Sequence, residues 1–186
     1  MVANSFFSSI NHQPMNKLFF IFSICAVAML FGCTAPEGSA STEQSVVSTD
    51  DDRSAQIELL FDKYVLNEWD VMDMYAENVL CKINNVEFSG RDNLMGGFKM
   101  HHDALYSEIA IDDASIQTEY WSDGSVWSRA WFTWTGNGQT TGEGYSNRGH
   151  FSYKWQDGVI AELYGYWSED AQNAEAAAYA AANASE

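Results

Sequence analysis

The side chains best suited to chemistry in this chain are His101, His102 and Asp103, with Tyr64 and Tyr75 upstream. Histidine titrates nearest neutrality, so either imidazole could serve as a general base while a tyrosine hydroxyl donates a hydrogen bond to the same substrate. Adjacent helical residues point about 100° apart, so at most one of the two histidines faces inward. The plainer reading is a histidine that borders an apolar helix face. His-His-Asp does not make a metal site, because neighbours cannot converge and no His-x-x-x-His occurs. No phosphate loop, nucleophile elbow or zinc spacing is present, so neither metal nor cofactor is expected. Cys81 alternates with Val79 and Ile83 and reads as a buried small hydrophobe, not a nucleophile. Glu119 and Asp113 read as solvated charges.

Those residues need a scaffold, and the hydrophobic pattern describes one. Ile57, Leu60, Phe61, Tyr64 and Val65 form one stripe of an amphipathic helix that opens near Ser54. A second short helical piece, VMDMYAEN, follows Trp69-Asp70. Val79 to Ile83 alternates as a strand, and Ser89-Gly90-Arg91-Asp92 breaks it and starts a third helix. That helix buries Leu94, Phe98, Leu105 and one side of His101 and His102. From Ser107 the period becomes two, with hairpin signals at Asp123-Gly124, Asn137-Gly138 and Asp157-Gly158. Four strands joined by three turns make an antiparallel meander. Helices first and a sheet afterward give an α+β domain. The Ala-rich tail, 171–186, reads as helical, with no partner visible.

The sheet has two different faces. Val126, Ala130, Phe132 and Trp134 point one way, with Tyr145, Asn147, Phe151, Tyr153 and Trp155 and with Val159, Ala161, Leu163, Gly165 and Trp167. Trp127, Arg129, Trp131, Arg148, His150, Lys154, Ile160, Glu162, Tyr164 and Tyr166 point the other way. A solvent-facing sheet does not normally carry so many rings, and such a patch marks an interface. The expectation is a homodimer through this second face, with Glu162 paired against Arg148 or His150.

The N-terminus is of another kind. Leu18 to Phe31 is an apolar run without a charge, preceded by Lys17, and has the length of a signal-peptide core. It ends in Leu30-Phe31-Gly32-Cys33, which resembles the bacterial lipobox. That resemblance implies cleavage before Cys33 and diacylglyceryl and acyl (palmitate-type) modification of the cysteine. The expected location is the cell envelope, at the outer membrane facing the periplasm. A start at Met15 would give the more usual opening MNKLFF. Residues 1–32 are therefore read as a signal peptide, and 33–53 as the lipidated cysteine and a flexible acidic tether. The folded domain is read as 54–170. About 20 flexible residues reach on the order of 25 Å. The net charge of −17 repels phosphate backbones and anionic lipid, so no nucleic acid is expected and membrane attachment rests on the lipid alone.

The order of elements resembles the nuclear transport factor 2-like superfamily, and within it the SnoaL-like and ketosteroid isomerase group. The cues are MYAEN, FSGRDNL, the Asn-Gly pair, and Asp157-Gly158-Val159-Ile160 running into Gly165-Tyr166-Trp167-Ser168-Glu169. The likeness spans roughly Ala55 to Asp170. It implies a cone (nuclear transport factor 2-like, or cystatin-like): a curved antiparallel sheet wraps N-terminal helices around an apolar pocket. Isomerases of the group use a carboxylate base and an oxyanion hole of a tyrosine and a protonated acid. Here the base position falls at Ile83, Asn84 or Asn85, and the oxyanion-acid position at Phe151. Tyr64 matches the helix-one tyrosine, Tyr75 and Trp167 match pocket aromatics, and Phe98 replaces a tyrosine.

The aromatic wall is thus kept and both acids are missing, so steroid-type isomerisation is not expected. The first expectation is a pocket that binds a small apolar or aromatic molecule without turnover, lined by Tyr64, Tyr75, Phe98, Phe132, Phe151, Tyr153, Leu163 and Trp167. The second is an enzyme of the same fold, a dehydratase, cyclase or isomerase, with His101 or His102 as base. The third is a protein-interaction module acting through the outer sheet face. An imidazole within hydrogen-bond reach of Tyr64, in a cavity of several hundred Å³, would favour the enzyme.

Overall fold

A computed structural model describes residues 45–184. The expected signal peptide, Cys33 as the expected lipidation site and the first part of the expected tether lie outside the described residues. Seven strands form one sheet in the order β1-β4-β5-β6-β7-β2-β3. They are β1 (Ser45–Ser48), β2 (Tyr75–Ile83), β3 (Val86–Ser89), β4 (Tyr106–Trp121), β5 (Val126–Gly138), β6 (Gly144–Gln156) and β7 (Val159–Trp167). The expected meander is β4 to β7, all antiparallel. β2 adds to it in parallel beside β7, and β1 covers the opposite edge. Helices α1 (Asp52–Val65), α2 (Arg91–Met100) and α3 (Asp170–Asn183) complete the α+β domain. Among the described residues no helix is long and apolar enough to cross a membrane.

Helix α1 starts where Asp51, in extended conformation, accepts hydrogen bonds from the Arg53 and Ser54 amides. Its stripe, Ile57, Leu60 and Phe61, is buried against Ile116, Ala130, Phe132 and Tyr153 of the sheet. Full burial of such a side chain contributes about 2 kcal/mol. Polar groups beneath the helix are satisfied in series. Ser54 Oγ meets Thr118 Oγ1 at 2.9 Å, Thr118 meets Ser128 Oγ at 2.9 Å, and Trp155 Nε1 donates to Ser128 at 2.8 Å. A buried hydroxyl chain of this kind costs little because no member lacks a partner.

Several expectations are corrected by the backbone. The fold takes in residues ahead of the expected Ser54, because β1 pairs with Thr118–Trp121. MYAEN is not the end of a helix. Met72–Met74 is a single 3₁₀ turn, and Tyr75 already belongs to β2. An irregularity between Tyr75 and Leu80 in the pairing with β7 leaves Tyr75 and Val79 buried four residues apart, which imitates helical spacing. Asn137-Gly138 is still strand, and the connection is the following loop, 139–143. A Cβ on Gly138 would stand 2.2 Å from a carboxylate oxygen of Glu175, so close approach, not turn geometry, demands this glycine. Asp157-Gly158 does make the tight turn, with both φ values positive. Ile160 lies in the core and not on the outer face. The β6–β7 register slips between Lys154 and Trp155, so that Trp155 faces Ile160.

The Ala-rich tail has a partner after all. Glu175 of α3 is 0% exposed and accepts from the amides of Thr140 (2.6 Å) and Thr141 (3.1 Å), from Thr141 Oγ1 (2.7 Å) and from Tyr145 Oη (3.3 Å). Burial pushes its pKa up, but the bonds from Thr141, Thr140 and Tyr145 outweigh this and hold it below the usual range. One carboxylate therefore pins the helix to the β5–β6 loop.

Candidate functional site

Helix α2 does not stop at Met100. It widens into a π-helical turn, His101–Leu105, before β4 begins. Such turns are rare and frequent at functional sites. Here the turn sets His101 beside a cavity of about 90 Å³ between α1, the turn and the inner sheet face. Of the eight side chains expected to line a pocket, Tyr64, Tyr75, Phe98, Phe132, Phe151, Tyr153 and Trp167 do line it. Leu163 does not; it is fully buried in the core below.

The wall is a chain of edge-to-face rings, a favoured geometry for aromatic pairs. Phe61 meets Phe132 at 4.9 Å between centroids, Phe132 meets Phe151 at 5.1 Å, and Phe151 meets Trp167 at 5.6 Å. Two glycines make this possible. A Cβ on Gly149 would stand 2.6 Å from Phe132, and one on Gly165 would stand 2.8 Å from both Phe151 and Trp167. Burial raises the Tyr75 and Tyr153 hydroxyl pKa values above their ordinary range, so neither phenol ionises.

One polar relay crosses the wall. Trp134 Nε1 donates to Tyr64 Oη at 3.1 Å, and Tyr64 Oη lies 2.9 Å from His101 Nδ1. An indole N–H can only donate, so Tyr64 accepts from it and keeps its own proton to give. The acceptor within reach is His101 Nδ1. The arrangement that pairs every polar group of the relay has Tyr64 donating to that nitrogen, with the proton of the neutral ring on Nε2. No hydrogen bond to Nε2 occurs among the described residues. Burial, with His102 alongside, lowers the His101 pKa to about 4, so the ring is neutral at physiological pH. Burial raises the Tyr64 phenol above its ordinary range, which keeps its proton on oxygen. Trp134 can lie flat along β5 because Gly136 has no side chain; a Cβ there would stand 2.8 Å from the indole.

His102 does not line the cavity. Its ring packs on Tyr64 and Trp69 at centroid distances of 5.0 and 6.0 Å, and burial lowers its pKa. Asn84, one of the three expected base positions, is not in the cavity, and neither are Ile83 and Asn85. Asn84 itself has another task. It occupies the β2–β3 turn with φ of 48° and clamps the end of β7, donating to the Trp167 carbonyl (3.1 Å) and accepting from its amide (3.2 Å). Phe151 stands in the wall as expected. Glu68, Asn147 and Gln172 complete the lining, and the Glu68 carboxylate is bound to Lys63. Burial drives the Cys81 thiol up to about 12, consistent with an inert core residue. Sequence reasoning missed Trp134, Tyr106 and Gln172. Trp134 was already on the inner face, and its role needed only the knowledge that Tyr64 lay opposite.

On the outer face the aromatic cluster is present with different partners. Glu162 pairs with Lys154 at 2.8 Å and accepts from Tyr164, not from Arg148 or His150. Side chains two residues apart on one strand, or opposite in register, reach each other first, and Lys154 is directly opposite Glu162. Arg129 takes Glu119 as its partner at 2.9 Å, so Glu119, 8% exposed, is a buried ion-pair member and not a solvated charge. Arg129 and Lys154 both lie over the Trp127 ring. His150 packs on Trp131 and Tyr166, which remain 42% and 52% exposed.

Comparison with known proteins places the fold. No family model matches the sequence, and no curated protein matches it. Solved structures do. A proposed isomerase from Bacillus subtilis superposes with a TM-score of 0.55 at 13% identity, over 67% of this chain and 92% of that one. A proposed polyketide cyclase from Pseudomonas putida KT2440 gives 0.55 at 15% identity, over 64% and 94%. A second proposed polyketide cyclase, from Xanthomonas campestris pv. campestris, gives 0.51 at 18% identity, over 67% and 95%. The chain shares the α+β fold of these solved structures.

Proposed function

We propose that this domain binds a small apolar or aromatic molecule in the ring-walled cavity and does not turn it over. The observation that carries the reading is the orientation of His101. Its Nδ1 is engaged by Tyr64, and in the tautomer that pairs the Tyr64 proton the imidazole has no lone pair to offer a substrate proton. The low pKa makes it a weak base in any case. No carboxylate replaces it, since Glu68 is held by Lys63 and the two family acid positions hold Asn84 and Phe151. A cavity of about 90 Å³ is well below the several hundred Å³ of sites for drug-sized ligands, so the occupant is small. The second reading, a cyclase- or dehydratase-like enzyme, is favoured by the Tyr64–His101 bond and by what the structural neighbours are said to be.

The same proposal extends to the rest of the chain. Cys33 is lipidated, the domain is held at the bacterial envelope by that lipid, and two copies meet through the outer sheet face. The face supports pairing because Lys82, Arg129 and Lys154 are paired there with Glu87, Glu119 and Glu162, so these charges balance locally on a chain of net charge −17. Native mass spectrometry of the full chain purified from membranes tests all parts together. The expected spectrum is an acylated dimer that retains a small neutral molecule. An unmodified N-terminus defeats the anchor, and a monomer at micromolar concentration defeats the dimer. Turnover of any bound compound that is lost in His101→Phe defeats the binding reading in favour of the enzyme. If the dimer forms, Tyr166→Glu should weaken it at least tenfold, measured by sedimentation.

A further inference from the structure

The relay does more than fill a polar gap, because it decides which hydrogen-bonding group His101 offers the cavity. Trp134 Nε1 can only donate; with Tyr64 donating its O–H in turn to His101 Nδ1, every polar group of the relay is paired and the neutral imidazole holds its proton on Nε2. The rest of the inner wall is rings and aliphatic side chains, with the hydroxyls of Tyr75, Tyr106 and Tyr153 among them; Asn147 joins the lining from β6, and Glu68 and Gln172 from outside the sheet. We propose that the cavity selects a neutral ligand with one hydrogen-bond acceptor, a carbonyl or ether oxygen on a small apolar body, received by His101 Nε2–H. Trp134 is the positioning residue that fixes this donor through Tyr64.

Each alternative ligand class meets an obstacle. A carboxylate or phosphate finds no cation in the lining, and it meets the Glu68 carboxylate and a chain of net charge −17. A ligand that can only donate gains nothing from Nε2–H. A pure hydrocarbon fits the rings but leaves the Nε2 proton without a partner, and a site built to hydrogen-bond discriminates against such a ligand. Tyr64, whose hydroxyl matches the oxyanion-hole tyrosine of related isomerases, is not the ligand's partner here, because its proton is already committed to His101.

The inference rests on the reading that the cavity binds small apolar molecules, and its test separates the two. Acetophenone, ethylbenzene and benzoate share one ring and differ in the acceptor and in charge. Titration of the full chain, followed by calorimetry, should give acetophenone an affinity at least about tenfold above ethylbenzene, with no measurable benzoate binding. His101→Phe should bring acetophenone down to the ethylbenzene level. Nitrogen-15 spectra of labelled histidine give a readout that a merely structural role would not move. Wild-type His101 should appear as the neutral Nε2–H tautomer, and Trp134→Phe should shift it toward a mixture while the fold, followed by circular dichroism, persists. Equal binding of acetophenone and ethylbenzene, or an Nδ1–H tautomer in the wild type, overturns the selection proposal and leaves an apolar site. Failure of both neutral probes to bind overturns the underlying reading as well.

Discussion

Glu175 and His101 are both desolvated titratable side chains, and they stand on neighbouring elements, α3 and the π-helical turn. Burial opposes the charged form of each, yet the outcomes differ. Glu175 keeps its charge because four donors saturate its oxygens. His101 gives up its charge, with one nitrogen engaged and the other left open. A buried carboxylate whose acceptors are all used has nothing to offer a ligand, and it serves as an anchor. A buried imidazole with a spare proton contributes less to the fold and can serve recognition.

The comparison breaks most easily at the anchor. Glu175→Leu strands two amides and two hydroxyls, so the melting temperature should fall by roughly 5–10 °C, with loss of hydrogen-exchange protection in α3. Gly138→Ala should act in the same direction by driving a methyl into the carboxylate. A melting temperature unchanged in both variants would remove the anchor role.

The two groups should also part company in acid. His101 has a depressed pKa, so the unfolded chain takes up its proton below about 6.5 while the folded chain resists until about 4. Stability should therefore decline across that window, with a slope approaching 1.4 kcal/mol per pH unit for one proton at most. His101→Phe should flatten it. The Glu175 contribution has the opposite origin. Its folded pKa lies below the unfolded value, so its stabilisation is complete above the ordinary glutamate range and is lost as pH falls through the folded value. Denaturant titrations at a series of pH values would show an acid limb that Glu175→Gln lacks. The smallest effect should be that of His101→Phe at neutral pH. It should leave the melting temperature within about 3 °C of wild type, because only one hydrogen bond is lost and the ring is replaced by another.

The meander and its two faces could be read from alternation in β5, β6 and β7, because period two is a local property of the chain. Four of the seven wall residues, Phe132, Phe151, Tyr153 and Trp167, followed from it. What stayed hidden depended on distant partners. Glu175 looks like one more acid in an alanine-rich tail until the β5–β6 loop is seen to wrap it. Gly138 has the sequence of a turn and the job of a contact. Tyr75 and Ile160 were misplaced because a bulge shifts phase without any sign in composition. The histidine pair was found as a candidate, but its chemistry was set by Trp134, thirty-odd residues away.

Strand β1 has a mechanical consequence. Its four residues pair with the outermost stretch of β4 through Ser45↔Trp121 to Ser48↔Thr118. A pull on the preceding segment, drawn across the edge of the sheet, meets these rungs one after another and not all at once. The strand would peel before α1 or the ring wall felt the strain, and it would re-zip when the tension eased.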